Sequence, residues 1–217
     1  MTTKPIDLWK GKFGNDYSDR NPITAEDIEN RKEIWYDILV LIRNLRKTER
    51  IFEDSFFEMG AGTGRNIISL HDLYVQNKIA RPKLFAEEPN DRTRALLIAN
   101  AKEIGANLHI IDKKEAAPRE IADITFTSGV LIHIPPYELI AQMKELYRLS
   151  KKYIVIMEYF SPELREVQYH GEKAMWLNDF GSIMLDNFPV TCLTCGFFWK
   201  RKTGVDNLTY WIFEKVN

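Results

Sequence analysis

Residues 56 to 66 read FFEMGAGTGRN: a short apolar run containing Glu58, then glycines at 60, 62 and 64. SFFEM (55 to 59) reads as a buried strand and residues 64 to 77 as a helix, so the glycines fall in a strand-to-helix turn. In an open α/β sheet, ligands bind beyond the carboxyl ends of the strands, where such turns lie. Glycine lets the backbone turn tightly and lets a ligand approach with no Cβ in the way. A dinucleotide fingerprint G-x-G-x-x-G counted from Gly60 and Gly62 needs a third glycine at 65, and that residue is Arg65. The phosphate-loop pattern G-x-x-x-x-G-K-[ST] has no match. The spacing is instead Glu58-x-Gly60-x-Gly62-x-Gly64. A carboxylate closing the strand repels a pyrophosphate and suits a ligand that carries an ammonium group.

Outward from this turn, strands and helices alternate. KLFAEE (83 to 88) reads as a strand, residues 91 to 104 as a helix stopped by Gly105, and LHIID and ITFTSG as further strands. Pro136 opens a helix running to about Leu149, and YIVIMEY is a fifth strand. Apolar strands separated by helices predict an α/β, Rossmann-like doubly wound sheet, mostly parallel. GFFWKRK (196 to 202) and LTYWIFEKV (208 to 216) flank a short loop and read as an antiparallel C-terminal hairpin. Upstream, Thr24 and Asp27 form a capping signal for an amphipathic helix over 25 to 47. Residues 1 to 23 show no sustained period and read as an irregular arm, so the expected organisation is an arm or lid (1 to 23) on a single domain (24 to 217).

A chain of 217 residues with 45% hydrophobic content can bury one substantial core. Its net charge of −1, without a basic run interleaved with aromatics, points away from nucleic acid. No apolar stretch approaches the roughly 20 residues of a membrane span. The start MTTKPIDLWKGKF has no signal-peptide core, and the expected location is the cytoplasm. Cys192 and Cys195 would need two further ligands to hold zinc, so no metal is expected. They read as small side chains leading into a late strand.

Two more strand ends carry acids. Glu88 ends KLFAEE, where a carboxylate can accept both hydroxyls of a ribose, and Asp112 ends LHIID, placed to accept from an adenine amino group. With Glu58, three successive strand ends would line one crevice.

On these residues the chain resembles a class I S-adenosylmethionine-dependent methyltransferase of the seven-stranded type, through FEMGAGTG, AEEPN, IID and the final hairpin. Through WKGKFGNDYSDRN, FTSGVLIHI, ELYRLSKKYIVIMEYFSP and the YHG and DF segments it is similar to small methylases encoded beside pseudaminic acid and related surface-sugar biosynthesis genes. The resemblance implies S-adenosylmethionine as cofactor and a small-molecule acceptor, a sugar or a nucleotide-sugar or glycan precursor. It implies that Gly60, Ala61, Gly62 and Gly64 pass under the methionine portion and that Glu88, with Pro89 and Asn90, holds the ribose. Asp112 and Lys113 would border the adenine, and Ser128, Gly129 and Val130 would face the sulfonium. Tyr17 and Arg20 stand where relatives carry an aromatic residue and an arginine, and Arg20 could pair with the methionine carboxylate.

Methyl transfer from a sulfonium is an in-line displacement, for which positioning supplies much of the rate. A hydroxyl acceptor also needs a general base. His133, in GVLIHIPP just past the fourth strand, is the best-placed candidate; the alternative is a histidine bonded to backbone at the start of a helix. Glu158 and His170 are further catalytic candidates, with Tyr159, Tyr169 and Asp179 on the substrate side. These groups suit a polyhydroxylated ligand and equally an amine. Two other readings stay open: a dinucleotide-dependent oxidoreductase and a non-catalytic nucleotide-binding module. Oligomeric state is not legible in the sequence.

Overall fold

The computed structural model describes residues 5–111, 119–169 and 172–216. The chain opens with α1 (Pro5–Lys10), α2 (Lys12–Arg20) and α3 (Ala25–Arg46). Then come β1 (Ser55–Met59), α4 (Arg65–Gln76), β2 (Lys83–Glu87), α5 (Asp91–Glu103), β3 (Leu108–Ile110) and β4 (Ala122–Ser128). A 3-10 turn (Leu131–His133) leads into α6 (Pro136–Leu149) and β5 (Ser150–Glu158). The last part holds β6 (Arg165–Tyr169), β7 (Glu172–Leu177), α7 (Phe180–Asn187), β8 (Val190–Phe198), α8 (Lys200–Thr203) and β9 (Leu208–Lys215).

Seven strands form one sheet in the order β3-β2-β1-β4-β5-β9-β8. The first five are parallel, and β9 lies antiparallel between β5 and β8. The chain therefore winds outward from β1 in one direction and from β4 in the other, which leaves a crevice between their carboxyl ends. β1 is buried along its whole length, as a parallel strand covered on both faces must be.

One face packs under α3 and α4. Thr24 starts α3, its side chain accepting from the Asp27 amide at 3.1 Å, and Ile34, Trp35, Ile38, Leu39 and Ile42 form the buried stripe. Trp35 meets the ring of Phe126 at 4.4 Å and that of Phe56 at 5.9 Å, which anchors α3 across β4 and β1. Truncating a side chain buried this way costs about 3–5 kcal/mol. The other face packs Leu139, Met143 and Leu146 of α6 and Phe180 and Met184 of α7 against Phe57, Ile154, Ile156 and Phe213.

Two expectations are corrected. The arm is helical: α1 and α2 combine a row of aromatic contacts, Trp9 with Phe13 and Tyr17, with hydrogen bonds to distant residues. The first hairpin strand starts earlier and stops sooner than expected, since Cys192 and Cys195 lie within β8 while Lys200, Arg201 and Lys202 form α8. Between β5 and β8 the chain also inserts an antiparallel ribbon, β6 with β7, and the helix α7. Among the described residues no helix is long and apolar enough to cross a membrane.

Candidate functional site

A cleft of about 390 Å³ lies over the carboxyl ends of β1, β2 and β4 and under the arm. Its floor is the glycine turn. Gly60 and Gly62 adopt φ of 67° and 56°, in the left-handed region that favours glycine. A Cβ on Gly60 would stand 2.8 Å from Val130 Cγ2, so Gly60 is needed for packing. A Cβ on Gly62 would meet no protein atom within 4 Å and would project into free space. The second glycine thus leaves room for something other than protein.

Glu88 stands beside this turn, 9% exposed. One of its oxygens accepts from the Gly62 amide at 2.8 Å and the other from the Asn90 amide at 2.9 Å. Burial raises its pKa above the usual carboxylate range, and those two N–H bonds oppose the rise. The remaining lone pairs can accept from a ligand diol. Pro89 also lines the cleft. Asn90 lines it as well, but its amide is committed elsewhere: the oxygen caps α5 by accepting from Thr93 N at 2.9 Å. Its nitrogen donates to the Trp9 carbonyl at 2.8 Å and to Asn15 Oδ1 at 3.0 Å.

The arm is therefore bolted to the rim. Ser18 and Thr93 share a hydroxyl hydrogen bond of 2.8 Å, Arg92 forks onto Asp19, and Arg65 Nη2 donates to the Asn21 carbonyl at 2.6 Å. Trp9 packs edge-on to Phe13 and Tyr17, and its ring lies 4.5 Å from that of His133. Tyr17 lines the cleft. Arg20 does not: it is exposed and outside the lining, because α2 turns its side chain away. Among the described residues, the arginines on the cleft wall are Arg31 of α3 and Arg65 of α4.

Glu58 is the most unusual wall residue. It is 3% exposed; Oε1 accepts from Asn66 Nδ2 at 2.6 Å, and Oε2 has no partner among the described residues. Asn66 in turn accepts from Arg31 Nη1 at 3.1 Å and Trp35 Nε1 at 3.3 Å. Burial pushes the Glu58 carboxyl up to about 8, against the opposing pull of Asn66 and Arg31. An orphaned buried carboxylate oxygen is costly, and a ligand ammonium supplies the missing donor and charge.

Ser128, Gly129 and Val130 lead out of β4 along the cleft, and His133 ends the 3-10 turn on its wall. Ala61 lines the floor, and Gly64 starts α4. Glu158 is a correction. It is fully buried and absent from the cleft wall, with both oxygens occupied by Thr127 and by the turn at 130 to 132, so it cannot reach an acceptor directly. Asp179 caps α7 through the Ser182 amide and hydroxyl and is not among the residues lining the cleft. Tyr159 lines a separate, apolar groove with Phe160, Leu177 and Phe197. Asp112, Lys113 and His170 lie outside the described residues, as does the side chain of Tyr169. Sequence reasoning missed Trp9, Arg31 and Asn66; Asn66 directly follows the glycine turn, whereas nothing local distinguishes Arg31 from the other charges of an amphipathic helix.

No family model matches the sequence, nor does any curated protein at significant similarity. Solved structures do match. The N1-methyltransferase for 1,6-didemethyltoxoflavin from Burkholderia thailandensis, with S-adenosylhomocysteine bound, superposes with a TM-score of 0.70 at 14% identity, covering 100% of this chain and 92% of its own. The magnesium protoporphyrin IX methyltransferase of Synechocystis, with S-adenosylmethionine bound, gives 0.64 at 14% identity over 100% and 99%. An S-adenosylmethionine-dependent methyltransferase from Clostridium acetobutylicum gives 0.59 at 11% over 95% and 98%. The fold is that of the class I methyltransferases. At these identities the likeness is one of architecture.

Proposed function

We propose that the chain is an S-adenosylmethionine-dependent methyltransferase acting on the oxygen or nitrogen of a small molecule. The observation that carries this reading is the pairing of an open Gly62 with the orphaned Glu58 Oε2 in one cleft. Glu58 would hold the ammonium of the methionine portion, Arg31 or Arg65 its carboxylate and Glu88 the ribose hydroxyls, with Asp112 and Lys113 bordering the adenine. A dinucleotide would instead set its pyrophosphate against Glu58. The cofactor supplies an electrophilic methyl group on a sulfonium. The protein holds donor and acceptor in line under α1 and α2, excludes water with Trp9 and Tyr17, and offers His133 as the base for a hydroxyl acceptor. The finer reading, a sugar or nucleotide-sugar acceptor handled in the cytoplasm, rests on the sequence resemblance; Tyr159 and Tyr169 are its substrate-side candidates.

Calorimetric titration with S-adenosylhomocysteine tests the cofactor reading. Glu88→Ala should weaken binding by about 1.5–3 kcal/mol, the value of hydrogen bonds to a charged group. Gly62→Val should abolish it, because its side chain enters the free space and strains a left-handed residue. Wild-type affinity in both folded variants would move the site elsewhere. A methyl-transfer screen of nucleotide sugars against small amines then decides the acceptor.

A further inference from the structure

The carboxylate of Glu158 sits at the end of β5, in the middle of the sheet, with no exposed surface. Donors converge on it from two elements. The Thr127 hydroxyl of β4 donates to Oε1, as do the amides of Val130 and Leu131, each at 3.0 Å; the Ile132 amide approaches Oε2 at 3.5 Å. These three amides open the 3-10 turn, where they have no partner within the turn itself. The turn carries Val130 against Gly60 and brings Val130 and His133 to the cleft wall. Mature strands rarely bury an acid so completely unless its negative charge gathers several N–H groups.

We propose that Glu158 is a positioning residue: as a carboxylate it draws in the backbone of residues 130 to 132 and so sets the cleft wall that Val130 and His133 form. The inference rests on the cofactor reading above for its functional consequence, but not for its geometry. A neutral acid loses the charge that strengthens these bonds and turns one oxygen into a hydroxyl, a weaker acceptor whose proton faces N–H groups, so its hold on the turn loosens. Burial pushes Glu158 up to about 7, so both states are reached near neutrality. Among the described residues, few titratable groups on the surrounding elements lie near this end of the sheet. His133 closes the turn, Tyr159 follows on β5, and Tyr210 neighbours Thr209, the β9 residue paired with Glu158. Asp123 of β4, Lys151, Lys152 and Tyr153 of β5 and Glu214 of β9 lie toward the opposite end of their strands. On α6, Glu138 reaches the cleft, with Lys144, Glu145, Tyr147 and Arg148 further along; Asp186 lies in the last turn of α7.

Two measurements test this. In ligand-free wild type, the amide resonances of Val130 and Leu131 should titrate together near pH 7, and in Glu158→Gln both should be flat. Titration with S-adenosylhomocysteine at about pH 6 and pH 8.5 should show roughly tenfold tighter wild-type binding at the higher pH, the equivalent of one charge-assisted hydrogen bond. Glu158→Gln should bind more weakly than wild type at the higher pH and keep only the part of the dependence that Glu58 contributes, whereas Glu58→Gln should keep the part that Glu158 contributes. Amides that do not titrate in wild type overturn the proposal, as does a Glu158→Gln protein that binds like wild type at both pH values. If Glu158→Gln does not fold, the wild-type resonances decide. A wild type that binds no S-adenosylhomocysteine overturns the cofactor reading, and the resonances then judge Glu158 on their own.

Discussion

At the scale of single residues, His133 is the proposed base, and the geometry gives its position. It stands on the cleft wall at the end of a turn that Glu158 holds, with the indole of Trp9 against its ring. That position suits a base whose access to water is limited by the arm. With an acceptor in hand, His133→Ala should lower turnover by roughly 10²–10⁴-fold while leaving S-adenosylhomocysteine affinity nearly intact. If His133 only packs against Trp9, the variant loses stability and retains most of its activity. A pH–rate profile separates the two. A flat wild-type rate from about pH 6 to 9, together with an active variant, would eliminate histidine base catalysis and leave proximity as the source of rate.

At the scale of elements, the arm and the β2–α5 connection behave as one unit because Asn90 belongs to both. Its oxygen caps α5 and its nitrogen holds the Trp9 carbonyl, while its own amide donates to the carboxylate of Glu88. A ligand that fastens Glu88 therefore also steadies the residue that anchors the arm. S-adenosylhomocysteine should slow amide exchange across α1 and α2. Asn90→Ala should cost about 1–2 kcal/mol through the lost cap alone and should speed exchange in the arm even with ligand present. Equal exchange with and without ligand in the wild type would mean that the arm covers the cleft without responding to its contents.

At the scale of the whole molecule, two buried carboxyls set the pH dependence of folding. Glu58 and Glu158 rise from 4.5 to about 8 and about 7, both because burial disfavours their charge. From about pH 4.5 up to about 8 for Glu58 and about 7 for Glu158, the folded chain holds protons that the unfolded chain has released, so stability falls as pH rises, by up to ~1.4 kcal/mol per pH unit for each group. Glu88, also raised, acts in the same direction. Asp123, which is lowered, contributes only below this window. Thermal unfolding of the ligand-free protein should therefore occur at a lower temperature at pH 8.5 than at pH 5.5. Glu58→Gln and Glu158→Gln should each flatten the slope. Stability that rises through this range would contradict the burial of both groups.

The sequence by itself determined the sheet and its ligand edge. Local signals suffice there: apolar runs mark strands buried on both faces, Gly60 to Gly64 mark a turn that only glycine makes comfortably, and an acid closes β1 and follows β2. Those signals are short in range, so they survive without knowledge of the partners. What decided the rest was long-range. The arm reads as irregular because α1 and α2 gain their stability from Asn90, Thr93 and Arg92, more than 70 residues away. Arg20 and Arg31 are indistinguishable by type, and only the direction in which α2 and α3 pack sends one to solvent and the other to the cleft. Glu158 ends its strand as Glu58 and Glu88 flank theirs, yet the fold turns it inward onto the amides of a turn 26 to 28 residues earlier. Residue type and strand position place an acid at the sheet's edge; whether it meets ligand or backbone depends on which neighbouring loop closes over it.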